Sequence, residues 1–269
     1  MTTKKLYDRA PVLRGIVWGQ GLFVAFILLE YFLVASGISE CSVVVDSCIR
    51  IVFGIVALIV AKVIYKDSFS SLFTGKLKPA TWCWCIPFFM YLAVELLYIP
   101  AAESITFAYL PLFLLYCIQQ LATGFWEEAA SKGIVMSGML KKWQSSVVGR
   151  ICMVLVSGLL FGSVHILNVL FNNDIFSCLW NALYASAFGV FLAAIYLQSG
   201  SMPWCMFLHA IWDIVIRIRG NFCENVQYGV LTDTIFVIQN VLELGAFPVV
   251  AIAICVSHHK DSPREEVLT

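Results

Sequence analysis

Charged residues are scarce in this sequence of 269 residues. Asp, Glu, Lys and Arg make up 13% of the chain, and 17 basic residues balance 17 acidic ones to a formal net charge of zero. Nucleic-acid-binding proteins concentrate basic residues in a patch, so nothing here indicates a nucleic-acid partner. Hydrophobic residues reach 61%, with a mean hydropathy of +0.88, far above the composition of soluble domains. The chain is therefore expected to be a polytopic membrane protein.

Three motifs of known hydrolases and metal sites are also missing. The ten cysteines include no Cys-x-x-Cys pair, which argues against a zinc ribbon or a thioredoxin-like motif. No His-Glu-x-x-His sequence is present, which disfavours a site-two metalloprotease. No Gly-x-Ser-x-Gly sequence accompanies the histidines, which disfavours a rhomboid serine protease. A hydrolytic site would have to use other residues.

Long apolar runs are what the sequence has instead. A helix needs about 20 apolar residues to cross a bilayer, and eight runs approach that length. They are about 15–37, 43–65, 80–101, 105–126 continuing toward 140, 147–170, 176–198, 202–219 and 234–257. The predicted fold is all-α: one bundle of about eight transmembrane helices over 15–257, with a catalytic core at about 105–219. Residues 1–14 and 258–269 are predicted to be polar tails.

Lysine and arginine favour alternate connections between these runs. The N-terminal tail and the connections 62–78 and 141–150 carry them, whereas the connections near 38–42, 102–104 and 171–175 carry none. Cytoplasmic loops are enriched in these residues, so both termini are predicted to be cytoplasmic. Arg217 and Arg219 depart from the pattern, because eight spans place them near the outer face. One or both become candidate site residues, and Arg217 is carried forward.

Two adjacent carboxylates and a lysine interrupt the fourth run. Ionisable groups inside a membrane are costly and usually functional, and Glu127, Glu128 and Lys132 have this position. The alternative is a cytoplasmic helix end that extends into water after Phe125. Glu128 and Lys132 are four residues apart with the glutamate first, the favoured order for a helical ion pair. Glu127 projects about 100° away from that pair.

Two histidines occupy later apolar runs. His165 alone would usually be a buried histidine satisfied by Asn168 or by a backbone carbonyl. His209, Asp213 and Arg217 follow at intervals of four residues and form one polar stripe on a helix. Asp213 is expected to orient the imidazole of His209 through one ring nitrogen.

The depths of these residues indicate that they meet. Glu127 lies 14 residues before Lys141 and His165 lies 15 after Arg150, so both are about 21 to 23 Å from the shared turn. His209 is eight residues past Ser201, only about 12 Å along a helix. The connection 198–203 must then dip into the membrane, or the spans must tilt. Polar loops at depth are tolerated where they are buried or line a wet cavity.

Other carboxylates in apolar runs have no matching partner in the sequence. Glu30, Glu95 and Glu243 are of this kind. Contacts at the membrane interface or within the bundle are the expected explanation for them.

A glutamate near two histidines in a low-dielectric cavity suits activation of water. The carboxylate can act as a general base, while imidazoles can bind a metal or donate to a developing oxyanion. The predicted reaction is attack of water on a carbonyl, most simply that of a peptide bond. The candidate catalytic residues are Glu127, Glu128, His165, His209 and Asp213, with Lys132, Phe161 and Arg217 in support.

Three motifs in this order resemble those of the CPBP intramembrane proteases, which include the type II CAAX prenyl endopeptidases and the bacterial Abi-type proteins. The family patterns are Glu-Glu-x-x-x-Arg, Phe-x-x-x-His and His-x-x-x-Asn/Asp. Here they read Glu127-Glu128-Ala-Ala-Ser-Lys132, Phe161-Gly-Ser-Val-His165 and His209-Ala-Ile-Trp-Asp213. The resemblance covers about 124–213, and it departs from the family at Lys132, which keeps the charge of arginine but lacks its planar fork.

The resemblance implies a conical cavity open to the cytoplasm and cleavage near the C-terminus of a membrane-associated or lipidated substrate. It implies Glu127 as the base together with His165, and His209 with Asp213 at the oxyanion. Both a zinc site made by Glu127, His165 and His209 and a metal-free glutamate mechanism are consistent with these residues. The expected location is a bacterial plasma membrane. The alternative function, motivated by Lys132, is an inactive membrane adaptor that binds peptides.

Overall fold

A computed structural model describes residues 10–37, 43–75, 78–98, 104–105, 110–224 and 230–257. Helices dominate these residues, and one antiparallel pair of two-residue strands, β1 (Ser104–Ile105) and β2 (Cys223–Glu224), accompanies them. The all-α prediction is confirmed at this level. The predicted tail over 258–269 and residues 1–9 of the N-terminal one lie outside the described residues.

Twelve α-helices are numbered here in chain order within the described residues. They are α1 (Pro11–Ala35), α2 (Val43–Tyr65), α3 (Pro79–Trp84), α4 (Ile86–Leu96), α5 (Leu110–Glu128), α6 (Ser137–Trp143), α7 (Val147–Ser163), α8 (Val169–Asn172), α9 (Ile175–Ser199), α10 (Met202–Phe222), α11 (Val230–Asn240) and α12 (Phe247–Ser257). A π-helix over Ala129–Met136 joins α5 to α6, and a second one over Val241–Ala246 joins α11 to α12. A 3₁₀ turn over Val164–Asn168 joins α7 to α8.

Five helical segments are long and apolar enough to cross a membrane among the described residues. They are Pro11–Ala35, Val43–Tyr65, Val147–Asn172, Ile175–Ser199 and Val230–Ser257. Large apolar side chains such as Phe32, Val63 and Val148 cover their outer surfaces, as lipid contact requires. The multi-pass prediction is thus confirmed, while the count of eight spans stays a prediction.

The run at 80–101 does not form one long helix. It is divided at Cys85 into α3 and α4, of which α4 is a short apolar helix of 11 residues. Pro87 lies in the first turn of α4, where proline is tolerated because that N–H has no intrahelical partner. A proline farther inside a continuous helix would remove a hydrogen bond, so the chain restarts here.

Small residues let the helices that carry the site approach closely. A Cβ on Gly158 of α7 would lie 2.3 Å from a methyl of Val190 on α9, and one on Gly162 would lie 2.3 Å from the carbonyl oxygen of Ala182. Both contacts are too short for a real side chain, so α7 and α9 touch through backbone. This packing places the segment from Phe161 to His165 against the centre of the bundle.

The turn before α10 is buried. Ser199 and Ser201 are both under one-tenth exposed, and a Cβ on Gly75 would lie 2.1 Å from the carbonyl carbon of Gly200. Residues of the 66–75 connection therefore cover this turn. Burial in protein satisfies the requirement that a polar connection at this depth be shielded from lipid.

Candidate active site

The two adjacent glutamates end α5, where the helix changes its winding. Glu127 and Glu128 are the last two residues before the π-helix over Ala129–Met136. The π-helix is wholly buried, and Ser137 donates to the carbonyl oxygen of Lys132 at 3.0 Å. Wide turns of this kind are rare and often occur at functional sites.

Glu128 and Lys132 form the ion pair that their spacing predicts. The Lys132 Nζ is 3.1 Å from Glu128 Oε2, and both side chains are 0% exposed. The ammonium also donates to Ser131 Oγ at 3.1 Å and lies 5.6 Å from the ring centre of Phe161. A helix end in water would expose these groups, so the alternative of a hydrated cytoplasmic end is wrong.

His209 is held by Glu128 across the interface between α5 and α10. Its Nδ1 lies 3.0 Å from Glu128 Oε1, with 5% of the histidine side chain exposed. The ion pair and this contact place Lys132, Glu128 and His209 in one line. The partner of Nδ1 is thus Glu128, whereas the sequence pattern assigned the orienting role to Asp213.

The other ring nitrogen of His209 faces two carboxylates. Its Nε2 is 3.8 Å from Glu127 Oε2 and 3.7 Å from Asp213 Oδ2. Asp213 in turn faces Arg217, whose Nε is 3.8 Å from Oδ1. These distances exceed a hydrogen bond, so the interactions are electrostatic. Among the described residues, none forms a hydrogen bond with the buried Oδ2 of Asp213.

Aromatic rings fix the plane of the His209 imidazole. Phe161 and Phe188 both approach it edge-on, with ring centres 5.6 and 5.4 Å away. Phe161 also contacts His165, with ring centres 5.4 Å apart. Edge-to-face pairs of this kind are favourable, so Phe161 supports both histidines.

His165 is near these groups but is satisfied by its own helix. Its Nδ1 is 3.2 Å from the carbonyl oxygen of Phe161, the kind of contact expected of an ordinary buried histidine. No hydrogen bond or ion pair joins it to Glu127 or His209 within the described part of the chain. When Nδ1 of His165 carries the ring proton, it donates to the Phe161 carbonyl, and Nε2 is then a hydrogen-bond acceptor.

Two cavities meet at His165. The large cavity, of about 410 Å³, is lined by His165, His209 and Asp213 together with aromatic residues. The small cavity, of about 230 Å³, is lined by Glu127 and His165. Asn168 and Arg217 also line both. Glu127 therefore lines the small cavity and His209 the large one.

Zinc ligands would have to come from Glu127, His165 and His209. No group of three or more His, Cys, Asp or Glu side chains is arranged to hold a metal ion among the residues that the structure describes. Glu128 contacts Nδ1 of His209 and the Phe161 carbonyl contacts Nδ1 of His165, which is also how ligating histidines are usually oriented. The zinc site and the metal-free mechanism both stay predictions.

Close approach of α5 to α10 depends on Gly124. A Cβ there would lie 2.6 Å from the carbonyl oxygen of Met206 and 3.0 Å from the nitrogen of Ala210. Gly124→Ala is expected to push the helices apart, to lengthen the Glu128–His209 contact and to cost about 1–3 kcal/mol of stability. Gly21→Ala is the matched control, because no other described part of the chain comes within 4 Å of its Cβ position. Thermal unfolding of both variants measures the difference, and equal transition temperatures would contradict it.

Sequence analysis did not identify Asp46 and Arg50 of α2, and it named Glu30 of α1 without its partner. Arg50 forms ion pairs with Asp46 at 2.8 Å and with Glu30 at 3.1 Å, and both Arg50 and Glu30 line the small cavity. Their signal was an ion pair spaced four residues apart, Asp46 before Arg50, within an apolar run. Glu30 thus has a partner in the bundle, which the sequence did not identify.

The other two unexplained carboxylates line the large cavity. Glu95 accepts a hydrogen bond from Gln239, and Glu243 lies on the same wall. Both are under one-tenth exposed. The expectation of contacts within the bundle is confirmed for Glu95.

Residues 108–215 match the sequence model of a family described as type II CAAX prenyl endopeptidase Rce1-like. The match covers all three motifs and confirms the resemblance that they indicated. No curated protein sequence matches the chain. Arg217 lies just past the matched segment, and Glu30, Asp46 and Arg50 precede it.

Proposed function

We propose that the protein is an intramembrane endopeptidase that hydrolyses a peptide bond near the C-terminus of a membrane-associated or lipidated peptide. The family match supports a protease of the CAAX type. The observation that carries the proposal is a chain of contacts from Lys132 through Glu128 to Nδ1 of His209. The other ring nitrogen of His209, Nε2, faces Glu127 at 3.8 Å. A buried line of charges that ends at a cavity wall is costly for a merely structural purpose.

Glu127 is the proposed general base. It takes a proton from water, and the resulting hydroxide oxygen forms a bond to the carbonyl carbon of the substrate. Its side chain is 13% exposed and faces the small cavity, so it is accessible to water. When the tetrahedral intermediate collapses, the C–N bond breaks and Glu127 returns the proton to the leaving amine nitrogen. His165 assists through Nε2, which accepts a hydrogen bond from the same water.

His209 is the proposed oxyanion donor. A protonated imidazole donates from both nitrogens, so Nδ1–H serves Glu128 while Nε2–H meets the oxyanion. Three carboxylates surround the ring, at 3.0, 3.7 and 3.8 Å, and their charges stabilise the cation. An ionised Asp213 has no proton to donate. It therefore acts by pairing with His209 and Arg217.

The substitution of lysine for the family arginine keeps the charge pairing in place. Lys132 reaches Glu128 at 3.1 Å without a planar fork. Glu128 needs one cation there and receives its second contact from His209. The ground for proposing an inactive adaptor is therefore weakened.

The proposal also includes the orientation of the protein in the membrane and the number of its spans. Both termini are proposed to face the cytoplasm of a bacterial plasma membrane, in agreement with the basic connections. Eight crossings would require three spans beyond the five that length and hydropathy identify. These would be formed by α3 together with α4, by α5 and by α10.

The proposal is tested with the full-length protein in lipid vesicles. Short peptides that carry a lipidated cysteine near a free C-terminus are incubated in heavy-oxygen water, and the fragments are analysed by mass spectrometry. Wild-type protein is expected to release two fragments. The N-terminal fragment should carry heavy oxygen in its new carboxylate. His209→Ala is expected to lower kcat roughly 10²- to 10³-fold, as loss of an oxyanion donor does. Fragments without label, or full turnover in this variant, would contradict the assignment.

A further inference from the structure

A polar cluster in α1, α2 and α5 lies beside the proposed site. The guanidinium of Arg50 donates to Asp46 at 2.8 Å and to Glu30 at 3.1 Å. Gln119 of α5 donates to the same oxygen of Asp46 at 2.6 Å. Three helices are thus joined by charge-assisted hydrogen bonds, which are the stronger kind. The cluster has a fixed position relative to α5, the helix that carries Glu127.

An aromatic ring contacts the planar face of the Arg50 guanidinium, in addition to the carboxylates that contact its N–H groups. Its guanidinium carbon lies 5.0 Å from the ring centre of Phe26. Phe26 stacks on Trp126 with ring centres 4.5 Å apart, and Trp126 is the residue before Glu127. A planar guanidinium fixed by two carboxylates and one aromatic face has little freedom to turn. The positive charge of Arg50 therefore keeps a fixed position beside α5.

Arg50 and Glu127 line the same small cavity, together with Glu30 and His165. Opposite charges on one cavity wall attract each other, so Arg50 attracts the Glu127 carboxylate and offsets the repulsion from Glu30, which it also pairs with. In a medium of low dielectric constant, such an attraction is much stronger than in water. Arg50 is thus positioned to hold the Glu127 carboxylate toward the small cavity.

The two cavities differ in volume and in the proposed catalytic group that each exposes. The large cavity exposes His209 beside the rings of Phe161 and Trp212 and the polar side chains of Glu95 and Glu243, and a wall that combines aromatic and polar groups can bind a peptide segment. The small cavity exposes Glu127 beside Glu30, Arg50 and the ring of Trp126. A cavity of about 230 Å³ has room for several waters, since each occupies about 30 Å³ in the liquid.

We infer that the small cavity is the water side of the site, that the large cavity is the peptide side, and that Arg50 is a positioning residue for Glu127. The inference rests on the proposed hydrolysis and adds the direction from which each reactant arrives. Water and peptide then meet beside His165, which lines both cavities, where Glu127 and His209 face each other. This division requires residues of α1 and α2, outside the family match.

Loss of Arg50 should slow the chemical step without weakening peptide binding. Arg50→Met is expected to lower kcat roughly 10- to 100-fold, because misplacing a reacting group by about 1 Å costs that much. KM should stay within about twofold, since the peptide contacts are on the other side. Arg50→Lys keeps the charge and loses the fork, so its kcat should lie between the two.

Arg150→Met is the matched control for a structural effect. Arg150 is a buried arginine that donates to the carbonyl oxygens of Cys255 and Gln144 at 2.8 and 3.0 Å. Its loss removes similar hydrogen bonds without touching either cavity. Rates are compared per folded molecule, with folding measured by size-exclusion chromatography. The inference predicts that only Arg50→Met lowers kcat, and equal kcat in both variants would overturn it.

A second measurement does not depend on turnover. The carboxylate stretching band of Glu127 is assigned as the infrared difference between the wild type and Glu127→Gln, and it is expected to shift in Arg50→Met but not in Arg150→Met. If the wild type cleaves no peptide, the proposed function fails, and this band still decides whether Arg50 acts on Glu127. A band unmoved by Arg50→Met would overturn the positioning role in either case.

Discussion

Glu127→Gln is expected to lower kcat for peptide hydrolysis roughly 10²- to 10⁴-fold, the contribution typical of a positioned general base. The amide cannot take the proton from water, whereas its shape and its position at the end of α5 are unchanged. Because Glu127 does not belong to the buried Glu128–Lys132 pair, the variant should fold normally. Fragment formation under substrate saturation measures the loss.

Asp174→Asn provides the control for the same chemical change elsewhere. Asp174 caps α9 by accepting hydrogen bonds from the backbone N–H groups of Phe176 and Ser177. Asparagine caps helices about as well as aspartate, so activity and stability should both be retained. Wild-type turnover in Glu127→Gln would remove Glu127 from the reaction and favour a protein that binds peptides without cleaving them.

Lys132→Met is expected to produce the largest loss of stability, about 3–5 kcal/mol, because it leaves the Glu128 charge buried without its cation. Both side chains are 0% exposed, so water does not compensate. Reversible unfolding in mixed micelles measures the change. Lys132→Arg should keep most of the stability, since it retains the positive charge beside Glu128.

The double variant Glu128→Gln/Lys132→Met separates pairing from packing. Removing both charges should cost less than Lys132→Met alone, because no uncompensated charge remains. The amide that replaces the Glu128 carboxylate can still accept a hydrogen bond from His209 Nδ1. A double variant as unstable as the sum of the single ones would show that Lys132 and Glu128 act independently.

Prediction from the sequence succeeded where the interaction is local. The pair of Glu128 and Lys132 follows from a separation of four residues, which brings side chains together in any helical segment. The apolar runs gave most of the long helices for the same reason, since length and hydropathy are local properties. The break at Cys85 also had a local signal, Pro87, that hydropathy alone does not weigh.

Prediction failed where the partner is distant along the chain. Asp213, expected to pair with His209 because it follows four residues later, lies 3.7 Å from Nε2, but this spacing did not reveal Glu128, 81 residues away, which contacts Nδ1. Glu30 meets Arg50 across 20 residues, and no periodicity reports such a pair. Only the angle at which two helices cross decides these contacts.

The sequence by itself determined that the chain is a membrane bundle, that three motifs place ionisable residues inside apolar runs, and which family those motifs resemble. Hydrophobic composition and residue order fix these properties before folding. Tertiary structure decided which carboxylate serves which nitrogen, and it placed Glu127 at one cavity and His209 at another. The reason is that close helix contacts, such as that of Gly124 with the backbone of α10, set distances of a few ångströms between residues far apart in the chain.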